Sequence, residues 1–392
     1  MTVSIAHKIQ NVKPSATLTI SARAAELRAE GIDVISLSVG EPDFDTPEHI
    51  KTAGKQAIDD GFTKYTPVDG LPALKKAIIE KFKNENNLYY EPNQIIVSTG
   101  AKQSLYNVMQ AALNPGDEII VPAPYWVSYP DMAILADARP VIIETGAAHQ
   151  FKITPEQLSN AITAKTRMLI LNSPSNPSGM TYTIEELAAL GKVLEKHPEI
   201  LVVTDDIYEH IQWNGKFVNI LNASPELKER TVVINGVSKA FSMTGWRIGY
   251  AAGPENVIKG MKKIQSQCTS NPCSVAQMAS KAALEGGLDC VNKMVATFKA
   301  RHDIVVAELN KIPGFHCIPV DGTFYVFPNV TEVIRAKGLK DDVELAEFLI
   351  NEAKVATVPG SAFGTPGHLR LSFAASEEKL REAIRRIHDA VA

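Results

Sequence analysis

The sequence has no apolar run near the length needed to span a membrane. It has no cationic start followed by an apolar block in Met1 to Gln10, so no secretory signal is visible. Charge of one sign is not in excess: Lys plus Arg total 40 and Asp plus Glu total 44, a net charge of −4. That balance argues against nucleic acid or an anionic membrane surface as the main partner. Cysteine is sparse, four in all (Cys268, Cys273, Cys290, Cys317), at spacings that fit neither a disulfide framework nor paired zinc ligands. Free thiols in a reducing cytoplasm are the expectation. The nine histidines form no HExxH-type cluster, so no metal is expected. Internal repeats and low-complexity segments are absent too.

What is present is 392 residues, enough for a large core and two domains. From residue 94 onward, apolar runs alternate with helical windows. Strands are expected at Gln94–Val97, Glu118–Val121, Pro140–Ile143, Met168–Leu171, Leu201–Val203, Thr231–Ile234 and Ile248–Ala252. Such alternation implies an α/β fold, a mostly parallel seven-stranded sheet covered by helices. Before it, helices are expected over 16–30, from Glu48, and from Pro72 to Lys83, with a strand at Val34–Val39. After Pro254 the chain reads as mostly helical to about Lys311, with Gly286-Gly287 as its clearest break. The remainder mixes strands (Thr323–Phe327, Val355–Val358, Leu369–Phe373) with helices at 341–353 and 376–391, a smaller α+β domain. The expected division is a large domain over 48–295 and a small one built from 1–47 together with 296–392.

Ligands of such sheets bind at the carboxyl ends of strands, and the residues of chemical promise cluster there. Between the last two strands of the sheet lies Ser238-Lys239-Ala240-Phe241-Ser242-Met243-Thr244-Gly245-Trp246-Arg247-Ile248-Gly249-Tyr250. A buried lysine that loses its proton is a nucleophile toward carbonyls, and a nearby arginine suits a phosphate. A pair of surface charges is the competing reading. Gly100-Ala101-Lys102 joins a strand to a helix, either a phosphate site or an ordinary tight turn. Tyr125-Trp126 offers an aromatic to stack on a planar ring, or core packing. Asn176 sits in a loop stiffened by Pro174 and Pro177. Asp205-Asp206-Ile207-Tyr208 presents a carboxylate able to keep a pyridine nitrogen protonated, or a helix N-cap. Arg370, in Leu369-Arg370-Leu371-Ser372, suggests a carboxylate clamp, or a strand-edge salt bridge.

Together Gly-Ala-Lys, Tyr-Trp, Asn-Pro-Ser-Gly, Asp-x-x-Tyr, Ser-Lys…Gly-Trp-Arg-x-Gly-Tyr and Leu-Arg-Leu-Ser resemble the class I, fold-type I aminotransferases that depend on pyridoxal 5′-phosphate. The resemblance spans essentially the whole chain and is nearest to the bacterial aspartate aminotransferases of the subgroup that includes prephenate-active enzymes. It implies that Lys239 bonds to the coenzyme's aldehyde carbon and later moves the substrate's proton. It implies that Asp205 partners the ring nitrogen, that Tyr208 and Asn176 donate to the ring oxygen, and that Trp126 stacks on the ring. Gly100, Ala101, Lys102, Ser238 and Arg247 take the phosphate positions. Arg370 matches the clamp on the substrate α-carboxylate, with Gly40 contributing backbone contact. Tyr65 matches a tyrosine that reaches the phosphate of a neighbouring subunit, which implies a homodimer with shared sites.

Animal-type relatives hold the distal carboxylate with an arginine after the lysine, yet none stands between Arg247 and Arg301 here. The resemblance therefore implies Lys102 for that task, with Lys13, Ser15 and Thr17 as weaker candidates. The expected reaction is ping-pong transfer of the amino group of L-aspartate to 2-oxoglutarate. Left open are another donor or acceptor (prephenate, an aromatic acid, methionine, alanine), a lyase on the same fold, and a regulator that has lost turnover.

Overall fold

Seven apolar runs line up as one sheet in the computed structural model, which describes residues 3–392. A two-residue strand, β1 (Ile35–Ser36), comes first in the chain. The sheet follows: β2 (Ile95–Ser98), β3 (Glu118–Pro122), β4 (Arg139–Ile143), β5 (Thr166–Asn172), β6 (Leu201–Asp205), β7 (Thr231–Gly236) and β8 (Gly249–Ala252). Their spatial order is β2-β8-β7-β6-β5-β3-β4. Neighbours are parallel except around β8, which runs antiparallel to both β2 and β7.

A parallel sheet must be covered on both faces, so its strands read as continuous apolar runs. Successive side chains point to opposite faces, and two cores result. Val202 and Val233 enter one, with Leu74 and Ile78 of helix Pro72–Asn86 and Leu187 and Leu190 of helix Ile184–Leu194. Val203, Val232 and Ile234 enter the other, with Leu105 and Val108 of helix Ala101–Ala112 and Ile258 and Met261 of helix Glu255–Cys268.

The structure sharpens three of the sequence expectations. The helical stretch after Pro254 breaks twice: helices Glu255–Cys268, Ser274–Glu285 and Asp289–Leu309 are separated at 269–273 as well as at the glycine pair. At the first break Ser270 takes φ 62°, and Pro272 has no N–H to continue the helix. Second, the strand expected at Val34–Val39 shrinks to β1, which pairs in parallel with β10 (Val355–Ala356). Beyond Leu37 the backbone carbonyls leave the ladder for side chains: Arg370 Nη2 donates to Ser38 O at 2.6 Å and Lys239 Nζ to Gly40 O at 2.5 Å. Third, the run Val355–Val358 divides at Thr357 between two sheets. Its second half becomes β11 (Val358–Pro359), in an antiparallel sheet of order β11-β12-β9, with β9 at Tyr325–Val326 and β12 at Leu369–Ser372.

Helix Glu377–Val391 packs Leu380, Ala383, Ile384 and Ile387 inward, at the spacing of one helix face. Among the described residues no helix is long and apolar enough to cross a membrane.

Candidate active site

Asp205 ends β6 and is the register partner of Asn172, which ends β5. No helix follows Asp205, so its carboxylate is not an N-cap. The side chain is 5 % exposed; Oδ2 accepts a hydrogen bond from Tyr129 Oη at 2.7 Å, and Oδ1 is buried without a partner. Burial pushes this carboxyl up to about 6, against the Tyr129 hydroxyl, the Ile207 backbone and Lys239, which pull it down. Asp206 is occupied elsewhere, accepting from Asn219 Nδ2 at 2.5 Å. Tyr208 Oη shares a hydrogen bond of 3.0 Å with Tyr325 Oη.

Lys239 lies in the turn after β7. Burial pushes its ammonium down to about 8; Arg370 and Arg247 act in the same sense, Glu41 and Asp205 against it. The amine form is thus within reach near neutrality.

The junction from β2 to helix Ala101–Ala112 needs glycine twice. Gly100 has φ +81°, and a Cβ there would stand 2.4 Å from Arg247 Nη2. A Cβ on Gly249 of β8 would stand 2.0 Å from the Ala101 nitrogen. Close approach of β8 is what sets Arg247 beside the free N–H groups at the helix start, a constellation suited to a phosphate. Lys102 stands there with its Nζ 4.7 Å from the centroid of the Trp126 ring. Desolvation and the Arg247 charge hold its ammonium below the usual range.

Arg370 on β12 is 2 % exposed. Nη1 donates to Asn176 Oδ1 at 3.0 Å and Nη2 to Ser38 O; Nε has no partner. The Tyr325 ring lies 4.4 Å from the guanidinium carbon. Among the described residues no carboxylate pairs with it, which removes the strand-edge salt bridge as an explanation.

One cavity of about 460 Å³ gathers these groups. Its lining includes Gly40, Ala101, Lys102, Trp126, Asn176, Asp205, Tyr208, Ser238, Lys239, Arg247 and Arg370. Of the residues singled out in the sequence, Gly100 stands behind the lining against Arg247, and Tyr65 lies apart, 92 % exposed. Ser15 and Thr17 line the mouth; Lys13 instead donates its backbone N–H to Asp131.

Asn172, Tyr129 and Tyr325 are among the lining residues not assigned a part from sequence. Asn172 ends a strand and braces the site, donating to Asp205 O and accepting from the Asn176 N–H. Tyr129 follows Trp126 by three residues, the spacing that puts it on the same side of a helix start. For Tyr325 no local signal exists.

Away from the cavity, Glu85, Glu209 and His210 bring ligand atoms within 4.8 Å of one another. Lys81 pairs with Glu209 and lies 3.6 Å from Glu85, so an ammonium already serves those carboxylates.

A free carboxylate oxygen, a lysine of lowered pKa, an aromatic wall and a helix start with an arginine fit a planar, phosphorylated pyridine aldehyde. The site therefore defines a pyridoxal-phosphate enzyme of fold-type I. Residues 32–387 match the family described as aminotransferase class I and II, and the chain belongs to it. An aspartate/prephenate aminotransferase of Nitrosomonas europaea is 53 % identical over 392 residues, covering 98 % of this chain and 99 % of that one. An aspartate aminotransferase of Bacillus subtilis is 51 % identical over 386 residues, 98 % of each. Among solved structures, the aspartate aminotransferase of Rhizobium meliloti superposes with a TM-score of 0.96 at 47 % identity, over 100 % of this chain and 99 % of that one. That of Thermus thermophilus with maleate gives 0.94 at 42 %, over 99 % and 100 %.

Proposed function

We propose that the protein is a cytoplasmic, homodimeric aminotransferase that moves the amino group of L-aspartate to 2-oxoglutarate, giving oxaloacetate and L-glutamate by a ping-pong route. The observation that carries this reading is Lys239, with its lowered pKa, sharing one cavity with the unpartnered Asp205 oxygen. When bound, pyridoxal 5′-phosphate supplies a ring that accepts the electron pair left when the substrate Cα loses its proton.

The chain's own residues do the rest. The Lys239 amine would take the proton from Cα as a general base and deliver it as a general acid to the coenzyme carbon that carried the aldehyde. Asp205 holds a proton on the ring nitrogen, and Asn176 and Tyr208 donate to the ring oxygen. Trp126 packs on the ring. Gly100, Ala101, Lys102, Ser238 and Arg247 hold the phosphate, with Tyr65 from the neighbouring subunit. Arg370 clamps the α-carboxylate through its fixed fork, with Gly40 on the same side.

The distal carboxylate falls to Lys102. Arg301 does not serve: its charge is paired with the Asp43 carboxylate, at 2.7 and 2.9 Å, and it is not among the cavity's lining residues. Relatives named for aspartate, and one solved with the dicarboxylate maleate, support a dicarboxylic substrate. The Nitrosomonas relative's name favours prephenate as a second acceptor, and prephenate is itself a dicarboxylate that the same cations suit.

The test is a half-reaction. Enzyme loaded with coenzyme and given L-aspartate alone should release oxaloacetate stoichiometric with sites and then stop, resuming when 2-oxoglutarate is added. Sustained turnover without any 2-oxo acid, with release of a cleaved product, would identify a lyase instead.

A further inference from the structure

We propose that Tyr129 is a positioning residue that fixes both the orientation and the basicity of Asp205. The proposal rests on the reading above, in which Asp205 faces the ring nitrogen. Tyr129 belongs to helix Ser128–Leu135, which starts beyond the carboxyl end of β3. It is 2 % exposed and packs edge-on against Trp126, with centroids 5.4 Å apart and planes at 80°. Its ring is thus held by the core while its hydroxyl reaches Asp205 Oδ2 at 2.7 Å, the length of a charge-assisted bond. Fixing one carboxylate oxygen stops the group from rotating. The other oxygen, Oδ1, is left free of protein partners.

The second effect concerns a single proton. Asp205 and the ring nitrogen share one between them, and a donor on Oδ2 stabilises the carboxylate form. The proton then stays on nitrogen, where it makes the ring an electron acceptor. The groups facing Asp205 are Tyr129 from its helix, Lys239 from the turn after β7, and Tyr208 and Asp206 from its own segment. Among the described residues, Tyr129 is the one side chain that hydrogen-bonds the carboxylate. Burial and the Asp205 charge hold the Tyr129 phenol well above its usual range, so it stays a donor at working pH.

Holoenzyme rebuilt with coenzyme labelled with nitrogen-15 in its ring reads the proton directly by NMR. Asp205→Asn should move the signal to the unprotonated position; if it does not, the placement of Asp205 itself is wrong. With that established, Tyr129→Phe keeps the ring and removes only the hydroxyl. The proton-sharing ratio should move toward the carboxyl by about 10- to 150-fold, the worth of a hydrogen bond to a charged group. 3-Fluorotyrosine at 129, a stronger donor of nearly the same shape, should move it the opposite way. In the Asp205→Asn background Tyr129→Phe should add little to the loss in kcat, because the interaction is already gone. A purely structural tyrosine would instead leave the nitrogen signal unmoved in both Tyr129 variants and add its full cost in the double variant, and either result overturns the proposal.

Discussion

A buried ammonium is a burden on the coenzyme-free protein, and at Lys239 the burden has a defined pH window. Its folded pKa is about 8 against an ordinary 10.5. Below 8 both folded and unfolded chains hold the proton, and the folded state bears the whole penalty. Between 8 and 10.5 the unfolded chain binds more protons, so stability rises with pH. Coenzyme-free Lys239→Met should therefore be more stable than the parent at pH 7, by on the order of 3 kcal/mol at about 1.4 kcal/mol per pKa unit. The gap should close toward pH 10.5, as read by denaturant melts across pH. Turnover in the same variant should fall by well over the roughly 10²–10⁴ that a lone general base provides. Lys102 makes a separate prediction. Lys102→Ala should lower kcat/KM for aspartate by about 10- to 150-fold, the worth of a charge-assisted hydrogen bond, with phenylalanine or alanine as donors much less affected. If all donors fall equally on coenzyme-saturated enzyme, Lys102 serves only the phosphate. Charged residues such as these were legible in the sequence because burying them at strand ends needs a reason. Tyr129 and Tyr325 were not, since an aromatic in an apolar stretch reads the same whether it fills a core or aims a hydroxyl at a carboxylate.

Elements of the sheet were legible for a related reason: strands covered on both faces are apolar along most of their length, and the turns between them carry glycine, proline and asparagine. Where reading failed, a local pattern was overruled by a distant partner. The stretch Val34–Val39 has strand composition, yet the carbonyls of Ser38 and Gly40 answer to Arg370 and Lys239, residues far along the chain. Thr357 sits inside an apolar run and still marks the change from one sheet to another. At this scale the tightest constraint is the contact of β8 with the start of helix Ala101–Ala112. A methyl on Gly249 would meet backbone atoms, the Ala101 nitrogen at 2.0 Å and the Gly100 carbonyl carbon at 2.4 Å, neither of which can swing away. Gly249→Ala should cost about 3 kcal/mol, the upper part of the range for overpacking. It should also weaken coenzyme binding, because relief requires moving the phosphate-facing helix start away from Arg247. Unchanged coenzyme affinity in a variant of lowered Tm would separate the strand contact from the phosphate site.

At the scale of the whole molecule, Tyr65 is the residue that one chain does not explain. It is 92 % exposed, yet its loop is braced from three helices, Pro72–Asn86, Glu255–Cys268 and Ser274–Glu285. Gln277 accepts from the Leu71 N–H at 2.8 Å and donates to Thr66 Oγ1 at 3.1 Å. Gln265 donates to Val68 O at 2.7 Å, and Asp69 is held by Lys75 and Lys262 at 2.7 and 2.8 Å. A loop ordered by so many partly buried bonds has already lost its entropy, and presenting an aromatic to water gains nothing in return. The proposed neighbouring subunit would give that order a use, and in a two-fold dimer it would do so twice. On the proposed shared-site dimer, Lys239→Ala removes the base of its own chain's site, and Tyr65→Ala removes the phosphate contact of the other chain's site. Mixed and exchanged, the two variants form hybrids in which one site carries both lesions and the other carries neither. Random exchange of equal amounts puts about half the chains into hybrids, so about a quarter of all sites should regain native turnover and native coenzyme affinity under two-fold symmetry. Subunit exchange is verified by mass-tagged chains under native conditions. If exchange occurs and activity stays at the sum of the two parents, each site is built from a single chain and the braced loop needs another explanation.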